Sequence, residues 1–153
     1  MIKIDVIVKD KNWLKFIKNP DNYLKRKIKK IQKNKFFNKN HYYLSVQLSG
    51  NKEIKLLNKK FRKKNKPTDI LSFPHHTKKE LKKLIISNKK IYLGDIIINY
   101  KKIKKNSKTV FKNRFDILWI HGLVHLFGYE HQKNRHYKKM LYIEKKLLNN
   151  LND

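Results

Sequence analysis

Seven histidines occur among 153 residues, and three of them fall in the run His121-Gly122-Leu123-Val124-His125-Leu126-Phe127-Gly128-Tyr129-Glu130-His131. On a helix, residues four apart lie about one turn apart on the same face, so His121 and His125 can hold one metal ion between them. Gly128 can leave the helix in a left-handed conformation at little cost, which lets His131 return to the same ion from a loop. Three neutral nitrogens with one coordination position open is the pattern of a catalytic zinc site and not of a closed structural one. Such an ion lowers the pKa of its water to about 7 and polarises a phosphoryl oxygen. A histidine pair alone would equally describe two buried, hydrogen-bonded rings. The third histidine, just past a glycine in a chain with only four glycines, favours the metal.

The same spacing occurs in a class of zinc peptidases, which need a Glu directly after the first His as general base. Here that place is Gly122. A dication without a ligand carboxylate, in a strongly basic chain, suits an anionic substrate such as a phosphodiester better than a peptide. Either water or a ribose 2′-hydroxyl could then be the nucleophile. A second cation would help hold the charge of the transition state, and Arg62 is the candidate because a guanidinium binds phosphate bidentately. On composition alone Arg62 would pass for an ordinary exposed arginine. The remaining histidines, His41, His75, His76 and His136, read as surface residues, with His75 and His76 at a strand end the pair that could touch substrate.

The elements that must position these residues follow from patterning. Ile2, Ile4, Val6 and Val8 alternate as a strand, and residues 42–49 alternate again with Leu44, Val46 and Leu48 on one face. Asn19-Pro20 marks a helix start continued by Leu24, Ile28 and Ile31. After Gly50-Asn51, the residues Ile54, Leu57 and Phe61 mark a short helix ending near Arg62. Pro67 lies in a loop, and residues 70–73 form a strand closed by Pro74. Residues 75–90 read as a loop with one helical turn. The apolar run Ile96-Ile97-Ile98 predicts a strand covered on both faces. Residues 100–110 carry no clear pattern. A helix from about Phe111 carries His121 and His125 to a stop at Gly128. A closing helix from Asn134 places Tyr137, Met140, Leu141, Leu147, Leu148 and Leu151 on one stripe. The expected fold is a single α/β (α+β) domain over residues 1–153. It has a mixed sheet of about four strands packed with helices, and the metal site at the end of a helix.

Lys plus Arg is 40 and Asp plus Glu is 11, a net charge of +29. Only four of the basic residues are Arg and no alanine occurs, which is the profile of AT-rich codon drift as much as of an RNA-binding surface. Both origins favour polyanions as partners, with affinity that falls as salt rises. The absence of cysteine excludes a disulfide scaffold, a thiolate zinc site and a thiol nucleophile. No apolar stretch approaches the roughly 20 residues of a membrane span, and the N-terminus reads as a strand and not as a signal peptide. The expected location is the cytoplasm, with no membrane partner.

With these residues in place, the sequence resembles the YbeY family of bacterial endoribonucleases, or rRNA maturation factors. HGLVHLFGYEH at 121–131 is similar to the family's metal motif. LNKKFRKKNKPTDILSFP at 57–74 is similar to its second signature, and LGDIII at 93–98 to its strand signature. Glu130 stands where the family usually has Asp. The resemblance implies an α/β fold with one divalent ion per chain, expected to be zinc, and a single-strand-specific, metal-dependent endoribonuclease. It implies roles in rRNA processing, including maturation of the 16S rRNA 3′ end, and in ribosome quality control. Ribosomal RNA and the small subunit or 70S ribosome would be its partners. By residue it implies metal ligation by His121, His125 and His131, and a functional role for Arg62 in catalysis and substrate binding. Thr68, Asp69 and Asp95 match motif positions and read as shaping the loop and cleft. The competing expectation is a non-catalytic, RNA-binding ribosome-assembly factor with a structural metal. A zinc hydrolase of another substrate is a third.

Overall fold

The computed structural model describes residues 1–37, 39–87, 89–130 and 134–153. Among them the order is β1 (Ile2–Val8), α1 (Pro20–Ile31), β2 (His41–Ser49), α2 (Asn51–Arg62), β3 (Ile70–Pro74), α3 (Lys78–Ile86), β4 (Lys90–Asn99), α4 (Lys108–Leu126) and α5 (Asn134–Asn152). The strands form one mixed sheet in the order β1-β2-β4-β3, with β1, β2 and β4 parallel and β3 antiparallel to β4. This is the α+β architecture expected from the patterning. Ile2, Ile4, Leu44, Val46 and Leu48 alternate onto the face that joins the main core. In β4, Ile96 and Ile98 enter that core while Ile97 packs on the opposite face with Ile54 and Leu71. The continuous apolar run is therefore covered on both sides, as predicted.

Local chemistry explains the helix starts. The Asn19 side chain accepts from the Asn22 N–H at 3.0 Å, ahead of Pro20 at the first helical position. Ser107 does the same for α4, accepting from the Val110 N–H at 3.1 Å. That helix starts at Lys108, inside the segment that carried no clear pattern. Residues 75–90 differ from expectation: α3 is a nine-residue helix, not a single turn. Its start is a reciprocal capping box, with the Thr77 hydroxyl accepting from the Glu80 N–H and the Glu80 carboxylate from the Thr77 N–H. The lysine density hides it in the sequence, because only Leu81 of α3 is buried, with Leu84 and Ile85 partly packed on the core. In α5 the buried stripe is Met140, Ile143, Leu147 and Leu151, whereas Tyr137 and Leu141 lie at its exposed margin.

The histidine-bearing half of α4 is packed deeply into the molecule, with Ile120, Gly122, Leu123, Val124 and Leu126 buried. α4 packs against β3, β4 and α5, and buries Phe111, Phe115, Trp119, Ile120, Leu123, Val124 and Leu126. Its buried Asp116 carboxylate accepts from Tyr23 Oη at 3.0 Å and Trp119 Nε1 at 2.9 Å, and pairs with Lys27 at 2.9 Å. That network ties α1 to α4 and fixes the helix's rotation about its axis. Gly122 fixes its height over the sheet, since a Cβ there would stand 2.9 Å from Ile96 Cγ2 and 3.0 Å from Ile70 Cδ1. No helix among the described residues is long and apolar enough to cross a membrane.

Candidate active site

His121 and His125 leave the last two turns of α4 on one face, with ring centroids 4.6 Å apart and planes nearly perpendicular. Their Nε2 atoms face each other at 3.1 Å. Each Nδ1 is engaged from behind. His125 Nδ1 lies 2.6 Å from the Tyr129 carbonyl oxygen, which can only accept, so that nitrogen carries the proton. His121 Nδ1 lies 2.7 Å from Glu144 Oε1 and donates to the carboxylate. In the neutral rings both Nε2 lone pairs then point into the same space. Two nitrogens sharing a tetrahedral ion at ordinary zinc–nitrogen lengths are about 3.3 Å apart. The donor chemistry and its backing by a carboxylate and a carbonyl suit a metal such as zinc.

The turn after α4 supplies part of this arrangement. Gly128 adopts a left-handed φ of 89°, and its N–H donates to the His125 carbonyl at 2.9 Å, which closes the helix and brings the Tyr129 carbonyl back to His125. The third expected ligand, His131, lies outside the described residues. Among the described residues, no group of three or more His, Cys, Asp or Glu side chains converges as a metal set. The packing of Gly122 also bears on the peptidase comparison. A side chain following His121 would run into Ile96 and Ile70 of the sheet, not toward the imidazoles.

Arg62 faces the same groove, which encloses ≈ 1190 Å³ and is also lined by His121, His125, His75 and His76. It is the last residue of α2, after which Lys63 turns the chain with a left-handed φ of 57°. Arg62 Nη2 donates to the Ser72 carbonyl at 2.9 Å, and the guanidinium carbon sits 5.8 Å from the Phe73 ring centroid. Two anchors thus orient an otherwise exposed side chain. The loop beyond it is held by Asn58, whose Nδ2 donates to the Lys66 carbonyl at 2.8 Å. Lys64, Lys66 and Lys78 add positive charge to the groove wall, against Glu80 and Glu130. Lys78 stands 4.4 Å over the Tyr129 ring, and burial, helped by Lys139 and Lys82, holds its ammonium below the ordinary lysine range.

Of the other motif positions, Thr68 lines the groove. The Asp69 carbonyl accepts from the Asn99 N–H at 2.9 Å and so ties the loop to β4. The Asp95 carboxylate accepts from the Ser45 and Tyr92 hydroxyls, on the face of the sheet away from the main core. His75 and His76, read as surface residues at a strand end that could touch substrate, lie in the groove wall. Sequence reasoning missed Glu144. The signal was available: it sits between Leu141 and Leu148 at helical spacing, a carboxylate within an apolar stripe of a chain with few acids.

The family model described as Endoribonuclease YbeY matches residues 8–152. A Pelagibacter ubique protein named Endoribonuclease YbeY is 44% identical over 144 residues, covering 92% of this chain and 90% of that protein. Proteins of the same name from Thermodesulfovibrio yellowstonii and a Wolbachia strain are 38% and 32% identical, over 82% and 97% of this chain and 77% and 95% of theirs. A solution structure of a Thermotoga maritima protein superposes with a TM-score of 0.61 at 26% identity, covering 99% of this chain and 89% of that one.

Proposed function

The chain belongs to the endoribonuclease YbeY family, and from that premise we propose that it is a metal-dependent endoribonuclease for single-stranded RNA. Its substrates on this reading are ribosomal RNA precursors, with the 3′ end of 16S rRNA foremost, on the small subunit or the 70S ribosome in the cytoplasm. Clearance of defective ribosomes belongs to the same reading. The observation that carries it is the pair of inward-facing imidazole nitrogens, 3.1 Å apart, in one groove with Arg62.

His121, His125 and His131 would hold one divalent ion, zinc by its ligand set. When bound, that ion supplies a Lewis acid for a phosphoryl oxygen and lowers the pKa of water at the site to about 7. Glu144 and the Tyr129 carbonyl keep the protons of His121 and His125 on Nδ1, so both Nε2 lone pairs would be the donors that hold the ion. Arg62 spends one N–H on Ser72 and is braced by Phe73, which leaves the rest of its fork to grip the scissile phosphate. Lys64 and Lys66 neutralise the neighbouring phosphates, and an extended strand fits the open groove better than a duplex.

Cleavage of an unstructured RNA by purified protein, with and without chelation, tests this. His121→Ala should abolish cleavage with the fold kept, and activity in the metal-stripped protein or in His121→Ala would overturn it. A 2′,3′-cyclic phosphate at the product end would identify the ribose hydroxyl as nucleophile. RNA binding with no turnover under any divalent metal would favour the assembly-factor reading instead.

A further inference from the structure

α2 covers only part of the sheet face that lies away from the main core, packing on β3 and β4 through Ile54, Leu71 and Ile97. Toward β1 the same face reaches solvent, with Lys3 and Asp5 exposed, Ile7 43% exposed and Tyr92 38% exposed. The strand register sets side chains on it in rows. Lys3 pairs with Tyr43 and Tyr43 with Tyr92, so these three stand side by side across β1, β2 and β4. Lys3 Nζ lies 5.9 Å from the Tyr43 ring centroid. The His75 ring follows 5.3 Å from Tyr92, and His76 4.7 Å further. Those two histidines line the groove that holds His121, His125 and Arg62. A row of rings thus runs from the open sheet into the wall of the candidate active site.

Charge separates on either side of that row. On one side lie His41 and Lys90, register partners and both exposed. On the other lie Asp5 and Asp95, register partners of Ser45, with Asp95 bonded by the Ser45 and Tyr92 hydroxyls. Phosphates are drawn to the lysine side and repelled from the carboxylate side, while bases can lie flat on the rings between. Proteins that bind single strands without strict sequence preference combine these two features, a stacking surface and a cationic track.

We propose that this open sheet face is a stacking platform for single-stranded RNA. It takes the nucleotides adjoining those in the groove, with bases on Tyr43 and Tyr92 and backbone along Lys3 and Lys90. It rests on the reading of the groove as an RNA site and extends the footprint beyond the cleaved phosphodiester.

The test compares oligouridylates of about 4 and about 12 nucleotides, by fluorescence anisotropy at fixed salt. The wild-type protein should bind the longer one more tightly. Tyr43→Ala and Tyr92→Ala should each remove on the order of tenfold of that gain, and Tyr43→Phe and Tyr92→Phe should keep it, because every base can stack on a phenyl ring. 2-Aminopurine scanned along the longer RNA should be quenched by the wild-type protein at positions outside the groove-bound stretch. The platform is overturned if length brings no gain, if no position is quenched, or if the Phe variants lose as much as the Ala variants. It is also overturned if sedimentation shows a dimer that the Ala variants dissolve, since a second copy would then be the occupant. Failure of the groove reading looks different. The wild-type protein would cut neither oligonucleotide, while the length gain and its loss on alanine substitution would still report the platform.

Discussion

Glu144 offers the sharpest test of how the site is built. Its carboxylate meets His121 Nδ1 at 2.7 Å, and the two side chains are only 14% and 23% exposed, so water replaces the bond poorly. Glu144→Gln keeps an acceptor oxygen and the shape but removes the charge. Glu144→Ala removes the acceptor and lets the ring turn or shift its proton to Nε2, where it blocks a ligand. A hydrogen bond to a charged group contributes about 1.5–3 kcal/mol, which is on the order of 10–100-fold in an equilibrium constant. Loss of such a partner behind a metal-bound histidine costs about the same, 10–100-fold in metal affinity. The expected order is wild type, then Gln weaker by about tenfold, then Ala weaker by up to about a hundredfold. Competition against a chromophoric zinc chelator measures this directly. Cleavage by both variants should fall at limiting zinc and recover in excess, because Glu144 touches neither substrate nor ion in this account. Wild-type zinc affinity in Glu144→Ala would refute the reasoning, and so would a loss of cleavage that no zinc concentration restores.

Arg62→Lys keeps the charge but not the planar fork, so RNA cleavage should fall by about 10²-fold with zinc affinity unchanged. Equal losses in zinc affinity would show that Arg62 acts through the fold. Gly122→Ala places a methyl 2.9 Å from Ile96 and should cost about 1–3 kcal/mol in denaturant unfolding. A change below about 0.5 kcal/mol would mean that α4 rides free of the sheet. Burial pushes the hydroxyls of Tyr23, Tyr42, Tyr92, Tyr100 and Tyr129 above the ordinary value of 10.0, Tyr23 further through Asp116. The folded state thus holds those protons more tightly, and stability should be lost as pH rises above about 10. Lys78 and Lys105, lowered by burial, oppose this only below their ordinary 10.5. Tyr23→Phe should shrink the alkaline loss, and a melting temperature flat between pH 9 and 11 would contradict it.

The parts of this fold that were legible in the sequence share one property: their signal does not depend on lysine. Alternation of Ile, Val and Leu gave the strands, Asn19-Pro20 a helix start, and the Gly122 and Gly128 positions the run around the histidines. What was hidden lay where lysine saturates the pattern. α3 has a capping box in plain view, Thr77 followed three residues later by Glu80, yet its buried face reduces to Leu81 with partial help from Leu84 and Ile85. An amphipathic stripe that narrow cannot be separated from a solvated loop by hydrophobic period alone. The co-location of Arg62 with the histidines was beyond any local pattern. It follows from β3 folding back antiparallel beside β4, which brings the end of α2 over Phe73 of the strand that packs on α4.

The same bias makes the few acidic residues more telling than the many basic ones. Where lysine is the default exposed residue, the position of a carboxylate is the more informative observation. The structure gives several of them a specific task. Asp10 accepts from the Asn12 N–H at a turn, Glu53 binds the Gln47 amide, and Glu80 closes the α3 cap. Asp116 gathers Tyr23, Trp119 and Lys27 inside the core. Glu144 belongs to this set, and its partner is a histidine of the groove. Reversing it to lysine would place an ammonium against the ring nitrogen that carries the proton, beside the position proposed for a dication. Glu144→Lys should therefore abolish zinc retention outright. The equivalent charge reversal at half-exposed Asp21, which pairs with Lys25 one turn away, should leave zinc retention and cleavage as they are.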